Sequence, residues 1–205
     1  MTTKQSKGDR SRHALKLAAR KVFESDGYTK ARVQDIAAEA GLSNGAFYRY
    51  FSDKYAVMMT LLKELLNDAF LFARAPWDAG HPTASVYTTT KLYLEFYSEN
   101  QDLFRMMVEA SQTHPEVEEM WAEVRSSVID RVTRMLGRAR DEGLVRDQLN
   151  LDIAAALLCA MTDQYAYLRF VLGRMPELEV SAASQQIAEI WSSGVFASSV
   201  AEQTN

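Results

Sequence analysis

"GLSNGAFYRYFSDK", residues 41–54, sets four aromatics, Phe47, Tyr48, Tyr50 and Phe51, into five positions. Helical spacing sorts them. Phe47 and Phe51 are four apart and share a face, so both are expected in the core. Tyr48 lies about 100° round the helix, on the row of Asn44. Gly45 with Arg49, and Ala46 with Tyr50, form adjoining rows. The spacing predicts a short helix over 44–50, held by the two phenylalanines and presenting small and polar groups outward. Ser43 stands at its N-cap position, and Gly41 stands where the preceding helix, read over 33–40 with Ile36, Ala37 and Ala40 inward, needs a left-handed residue. Two helices joined by a three-residue turn containing glycine have the form of a helix-turn-helix.

Outward from this stretch the rest of the chain also reads as helix. Leu15, Ala18, Ala19, Val22 and Phe23 recur at amphipathic spacing, and Gly27 ends that segment. A fourth helix, with Ser52 as its cap, runs to about residue 75. The stretch APWDAGHP, 75–82, is a break rich in Pro and Gly. Further helices are read over 83–99, 102–112, 116–142, 152–172 and 181–199. Their stops are His114 with Pro115, Gly143, and Gly173 to Pro176. Val, Ile and Thr nowhere gather into alternating runs, so no strand is placed. The expected fold is all-α with about nine helices. Residues 1–55 are expected to form a three-helix domain containing the helix-turn-helix, a linking helix covers about 53–75, and residues 56–205 are expected to form a second helical domain. The helices around Leu157 and Ile190 are apolar on more than one face, which suggests a partner surface.

Composition bounds the function. The chain has 205 residues, 47% of them hydrophobic, enough for a packed core. Its net charge of −4 is unevenly spread: residues 1–55 carry eleven Lys and Arg against six Asp and Glu, and the remainder twelve against twenty-one. A basic module joined to an acidic body is one reading, and an ordinary solvated distribution is the other. No apolar run reaches the roughly 18 residues of a membrane span, and MTTKQSKGDR has no signal-peptide core, so a cytoplasmic protein is expected. The single cysteine, Cys159, is read as a small buried apolar side chain. His13, His81 and His114 lie far apart without metal-ligand spacing, and no nucleophile motif or phosphate-binding glycine loop is present. Neither an enzyme nor a cofactor nor a metal is expected. Lys54 falls in the first turn of the fourth helix, where the dipole disfavours a cation by about 0.3–1 kcal/mol. A DNA phosphate reverses that preference; Asp53 next door is the plainer explanation.

The stretch AARKVFESDGYTKARVQDIAAEAGLSNGAFYRYFSDKYAVMMTLL resembles the TetR family of transcriptional repressors in its AAR, GY, IA, AG, YxYF and K positions. The resemblance implies that the third helix reads the major groove of double-stranded DNA. On that basis Asn44, Gly45, Ala46, Tyr48 and Arg49 are groove-facing candidates, with Ser43 at their start, and Tyr48, Tyr50 and Lys54 hold phosphates. The sequence departs from the family pattern at three positions. Arg32 stands where Thr or Ser commonly caps the second helix, and could reach a phosphate instead. Asn44 stands for a common Lys, and Ala46 for a common Thr. Arg10 and Arg12 are further candidates for sequence readout.

The body is similar to the branch of that family containing the ethionamide-resistance repressor, in HPEVEEMWAEV, AAALLCAMTDQYAYLRF and IAEIWSSGVF. That similarity implies a long apolar tunnel for a lipophilic or aromatic effector, with Trp121, Trp191 and Thr162 on its wall and Tyr87, Leu94, Met161 and Tyr165 nearby. Together the two resemblances imply a DNA-binding domain over 1–55 and an effector-binding and dimerisation domain over 56–205, which forms a homodimer through the last two long helices. Core packing is the competing reading for each of these residues. A regulator of the same fold controlled by a protein partner, or by no ligand, is the alternative at the level of the whole chain.

Overall fold

A computed structural model of the chain describes residues 7–72 and 77–197, with side chains for 7–68 and 77–197. Among the described residues the regular elements are nine α-helices: α1 Lys7–Asp26, α2 Val33–Glu39, α3 Asn44–Phe47, α4 Lys54–Phe72, α5 Pro82–Glu99, α6 Gln101–Ser111, α7 Pro115–Asp141, α8 Leu151–Ala166 and α9 Val180–Val195. The ends of the helices read to residues 75 and 199 lie outside the described residues. The chain divides into two compact units, Met1–Asn67 with Asp102–Glu119, and Asp68–Gln101 with Met120–Asn205.

In the first unit α1 buries the stripe expected of it, Leu15, Ala18, Ala19, Val22 and Phe23. Ile36 and Ala37 of α2, Phe47 of α3 and Val57, Met58 and Leu62 of α4 are buried in the same unit. Helix α6, distant in sequence, belongs here too. It buries Leu103, Phe104, Met106, Met107 and Ala110, and its Asp102 accepts two hydrogen bonds from the Arg20 guanidinium of α1. Helix α4 is capped by Asp53 rather than by Ser52. The Ala56 N–H donates to Asp53 Oδ1 at 2.7 Å, because Asp53 directly precedes the first helical residue and its carboxylate reaches the third N–H. The Ser52 hydroxyl turns to Asp53 instead.

In the second unit α5 packs along α9 and α8. Val86, Leu136, Leu151, Trp191, Val195 and Phe196 lie in its core cluster. The Trp191 indole N–H is satisfied by the Ala154 carbonyl at 3.0 Å. Helix α9 ends where Phe196 turns extended (φ −84°, ψ 153°). There it forms a short antiparallel bridge with Val145, through Arg146 N–H to Val195 O at 3.2 Å and Ala197 N–H to Leu144 O at 2.9 Å. The helix read over 152–172 is not uniform. After Ala166 it widens into a π-turn, Tyr167–Val171, with Leu172 N–H reaching back to Tyr167 O at 3.1 Å. Gly173, at φ 60°, ends it.

Candidate nucleic-acid interface and effector cavity

The turn between α2 and α3 is built by local chemistry. Gly41 takes φ 65°, and the N–H groups of Gly41 and Leu42 donate to Ala38 O and Ala37 O, both at 2.9 Å. These paired bonds form a Schellman motif, which needs a left-handed residue that glycine supplies without a Cβ clash. Ser43 Oγ accepts the Ala46 N–H at 3.2 Å and starts α3. Helix α3 is shorter than the sequence suggested, Asn44–Phe47, and continues as a tighter turn with Tyr50 N–H on Phe47 O at 2.9 Å. Phe47 is fully buried and packs on Phe51, ring centroids 5.8 Å apart. Tyr48 is 58% exposed, its ring edge-on to Phe47. Ser43, Asn44, Gly45 and Arg49 are exposed, and Ala46 and Tyr50 half-buried. Arg32, exposed, precedes α2 without a side-chain cap. The Arg12 guanidinium lies 5.2 Å from the Phe51 ring centroid.

Lys54, read as a phosphate-holding residue, is engaged within its own unit. Its ammonium donates to the carbonyls of Tyr28, Thr29 and Ala31 at 2.8, 3.0 and 3.1 Å, and sits 4.7 Å from the Tyr28 ring centroid. An ammonium has three donors, and all three are engaged in closing the loop between α1 and α2. The unfavourable helix position is thus offset by carbonyl oxygens of the protein. The same loop is held from α6. Glu109 accepts from the N–H groups of Tyr28 and Thr29 at 3.2 and 3.0 Å, and from the Thr29 hydroxyl at 2.7 Å. Burial pushes the Glu109 carboxyl up, but the Thr29 and Tyr28 donors and Lys54 outweigh it, and the group is held below its ordinary range. Gly27, at φ 77°, lets this carboxylate come close: a Cβ there would lie 3.3 Å from Glu109 Oε2. The Tyr28 hydroxyl meets His114 Nε2 at 3.2 Å.

The second unit holds a cavity of about 670 Å³, partly open to solvent. Trp121 and Thr162 line it, together with Trp77, Tyr93, Arg125, Cys159 and Asp163, among others. Tyr87, Leu94, Met161, Tyr165 and Trp191 are not on this wall. Leu94 is fully buried, Tyr87 packs on the core cluster, and Met161 and Trp191 face a separate groove beside α8 and α9. The Thr162 hydroxyl donates back to Leu158 O at 2.9 Å. The wall's polar centre escaped sequence reasoning. Tyr93 donates to Asp163, and Arg125 Nε lies 3.0 Å from the same carboxylate, with its guanidinium 5.1 Å from the Trp121 ring centroid. Burial raises the Asp163 carboxyl despite the bonds from Tyr93 and Arg125. Burial and Asp163 together raise the Tyr93 hydroxyl well above its usual value. Tyr93 and Asp163 are 70 positions apart, so no local pattern pairs them. Among the described residues no group of three side chains is arranged to hold a metal, and no helix is long and apolar enough to cross a membrane.

Comparison with known proteins assigns both units. Residues 17–59 match the family described as bacterial regulatory proteins, tetR family, and residues 86–197 match the C-terminal domain of the transcriptional regulator EthR. The chain is 25% identical over 198 residues to the HTH-type transcriptional regulator EthR of Mycobacterium tuberculosis, covering 95% of this chain and 91% of that protein. It is 26% identical over 184 residues to the HTH-type transcriptional repressor AcnR of Corynebacterium efficiens, covering 88% of each. In fold it is similar to the triclosan complex of SmeT, with TM-score 0.72 and 21% identity over 93% of both chains; SmeT is the repressor of a Stenotrophomonas maltophilia multidrug efflux pump. The second match spans more than half the sequence, and the chain therefore belongs to the tetR family of bacterial regulatory proteins, a helix-turn-helix transcriptional regulator with an EthR-type C-terminal domain and not an enzyme.

Proposed function

We propose that the protein is a dimeric repressor that binds a palindromic operator through α3 and is released by a lipophilic or aromatic small molecule held in the second-unit cavity. The outward face of α3 carries the DNA half of this reading. Asn44, Gly45, Tyr48 and Arg49 are exposed while Phe47 beneath them is fixed, which suits a short helix set into a major groove. Tyr48 and Tyr50 offer hydroxyls to phosphates, and Arg32 a guanidinium. Lys54 acts at one remove, by holding the loop after α1. A cavity of about 670 Å³ is of the size that small-molecule sites have, and the SmeT relative was solved with triclosan.

One helix-turn-helix presents little surface for tight binding, so two copies on adjacent half-sites are required. Ile153, Leu157 and Ile190 are 58%, 60% and 64% exposed along the apolar groove of α8 and α9, an apolar face suited to a second copy. An effector that prefers a conformation with wrongly spaced recognition helices weakens DNA affinity by the same coupling energy, about 1–3 kcal/mol. Fluorescence anisotropy on the DNA upstream of the protein's own gene tests the reading. The expected result is saturable nanomolar binding that weakens steeply with salt and falls at least tenfold in Tyr48→Ala. Weak binding indifferent to that substitution would remove the operator role from α3.

A further inference from the structure

Beyond residue 55 the chain is strongly acidic, yet five of the twelve Lys and Arg found there fall within 125–140, beside a single Asp. Four of the five, Arg125, Arg131, Arg134 and Arg138, line the cavity. Among the described residues they are also the only wall residues exposed to solvent, since every other one is buried or half-buried. The solvent-facing rim of the cavity is therefore made of arginine, while its inner wall sets apolar residues such as Trp77, Val86 and Leu158 beside the polar pair of Tyr93 and Asp163.

Among the described residues the wall carries four guanidinium groups against one carboxylate, Asp163. That carboxylate is already bonded by Arg125 and Tyr93, so it does not offset Arg134 and Arg138. Arg134 and Arg138 are one turn apart on α7 and share a face. Neither has an ion pair, a hydrogen bond or a ring contact among the described residues. The helix dipole explains Arg138 and Arg140, which sit in the last turn of α7. Its effect fades within a turn, so Arg134 needs another cause.

We propose that the effector is an amphiphile with an anionic head, a carboxylate or a phosphate ester, gripped by Arg134 and Arg138 while its apolar body lies against Trp77, Trp121 and Met135. This rests on the reading of the cavity as the effector site. A guanidinium presents paired donors that match carboxylate and phosphate oxygens, and two of them one turn apart can share one head. A cationic guest meets like charge at the rim. A neutral guest leaves these donors unused.

Isothermal titration of the full chain with dodecanoate, dodecyl phosphate, dodecanol and dodecylammonium, each below its micelle concentration, tests the proposal. Protection of Cys159 from alkylation locates the binding, since this thiol lies on the wall and is the chain's one cysteine. The expected result is that an anion binds at least about tenfold more tightly than dodecanol, and dodecylammonium more weakly than either. The tighter of the two anions identifies the head group. In Arg134→Gln with Arg138→Gln, with unchanged far-ultraviolet circular dichroism, the preference should vanish while dodecanol affinity stays. Equal binding of anion and alcohol, anion binding that leaves Cys159 unprotected, or a preference that survives the double substitution overturns the proposal and leaves the effector cavity standing. Failure of all four probes to bind overturns both.

Discussion

At the scale of single residues, Lys54 separates position from contact. Its three donors are used by the loop after α1, so Lys54→Met should leave three carbonyls short and cost about 1–3 kcal/mol of stability. Operator affinity should fall with it, yet the slope of log affinity against log salt should stay unchanged, because no phosphate contact is lost. A slope shallower by about one in the salt titration would return Lys54 to the DNA backbone. Cys159 gives a second check. Burial, and then Asp163, pushes its thiol up to about 11, so alkylation near pH 8 should run roughly a hundredfold slower than for a free thiol. Labelling with iodoacetamide followed by mass spectrometry measures this. Rapid labelling would mean that the cavity wall opens readily to water.

At the scale of elements, the loop between α1 and α2 is clamped from both sides, by the ammonium of Lys54 on its carbonyls and the carboxylate of Glu109 on its N–H groups. Glu109 is held below its ordinary value of 4.5. Its contribution to stability is therefore full above that value and is lost as pH falls through the depressed one. Glu109→Gln should lower the melting temperature at neutral pH by a few degrees, and melt with a shallower decline on acidification below 4.5 than the wild type. Parallel acid limbs in calorimetry would show that this carboxylate is not the group that titrates. Ser43 has a smaller part: Ser43→Ala removes the cap of α3 and should cost about 1 kcal/mol in chemical denaturation.

At the scale of the whole molecule, the proposed function makes the exposed apolar face of α8 and α9 the surface that joins two copies. Leu157→Glu places a charge among Ile153, Ile190 and the groove beside them. Sedimentation velocity should then report a monomer, and operator binding should be lost even though α3 is untouched. A dimer that persists would move the interface to another surface. Leu157 is 60% exposed in the single chain, so the substitution should leave the fold intact.

Much of this was written in the sequence, because helix stops, caps and amphipathic stripes are local. Gly41 at a left-handed C′ position, Ser43 at an N-cap and the pair Phe47 and Phe51 need only their neighbours along the chain to be read. The same locality made the TetR-like pattern legible, since its positions lie within a few turns of one another. What depends on distant side chains was not legible. Glu109 meets Thr29 across 80 positions, and Tyr93 meets Asp163 across 70. The sequence offers no period to join them. Lys54 carried a true signal, a cation at a helix start, but which oxygens answer it was a matter of packing: the loop after α1 folds back to supply them. The arginines of α7 are plain in the sequence as a charge cluster, and only the cavity beside them made them its rim, because the direction a side chain takes from a helix acquires meaning when the neighbouring helices pack against it.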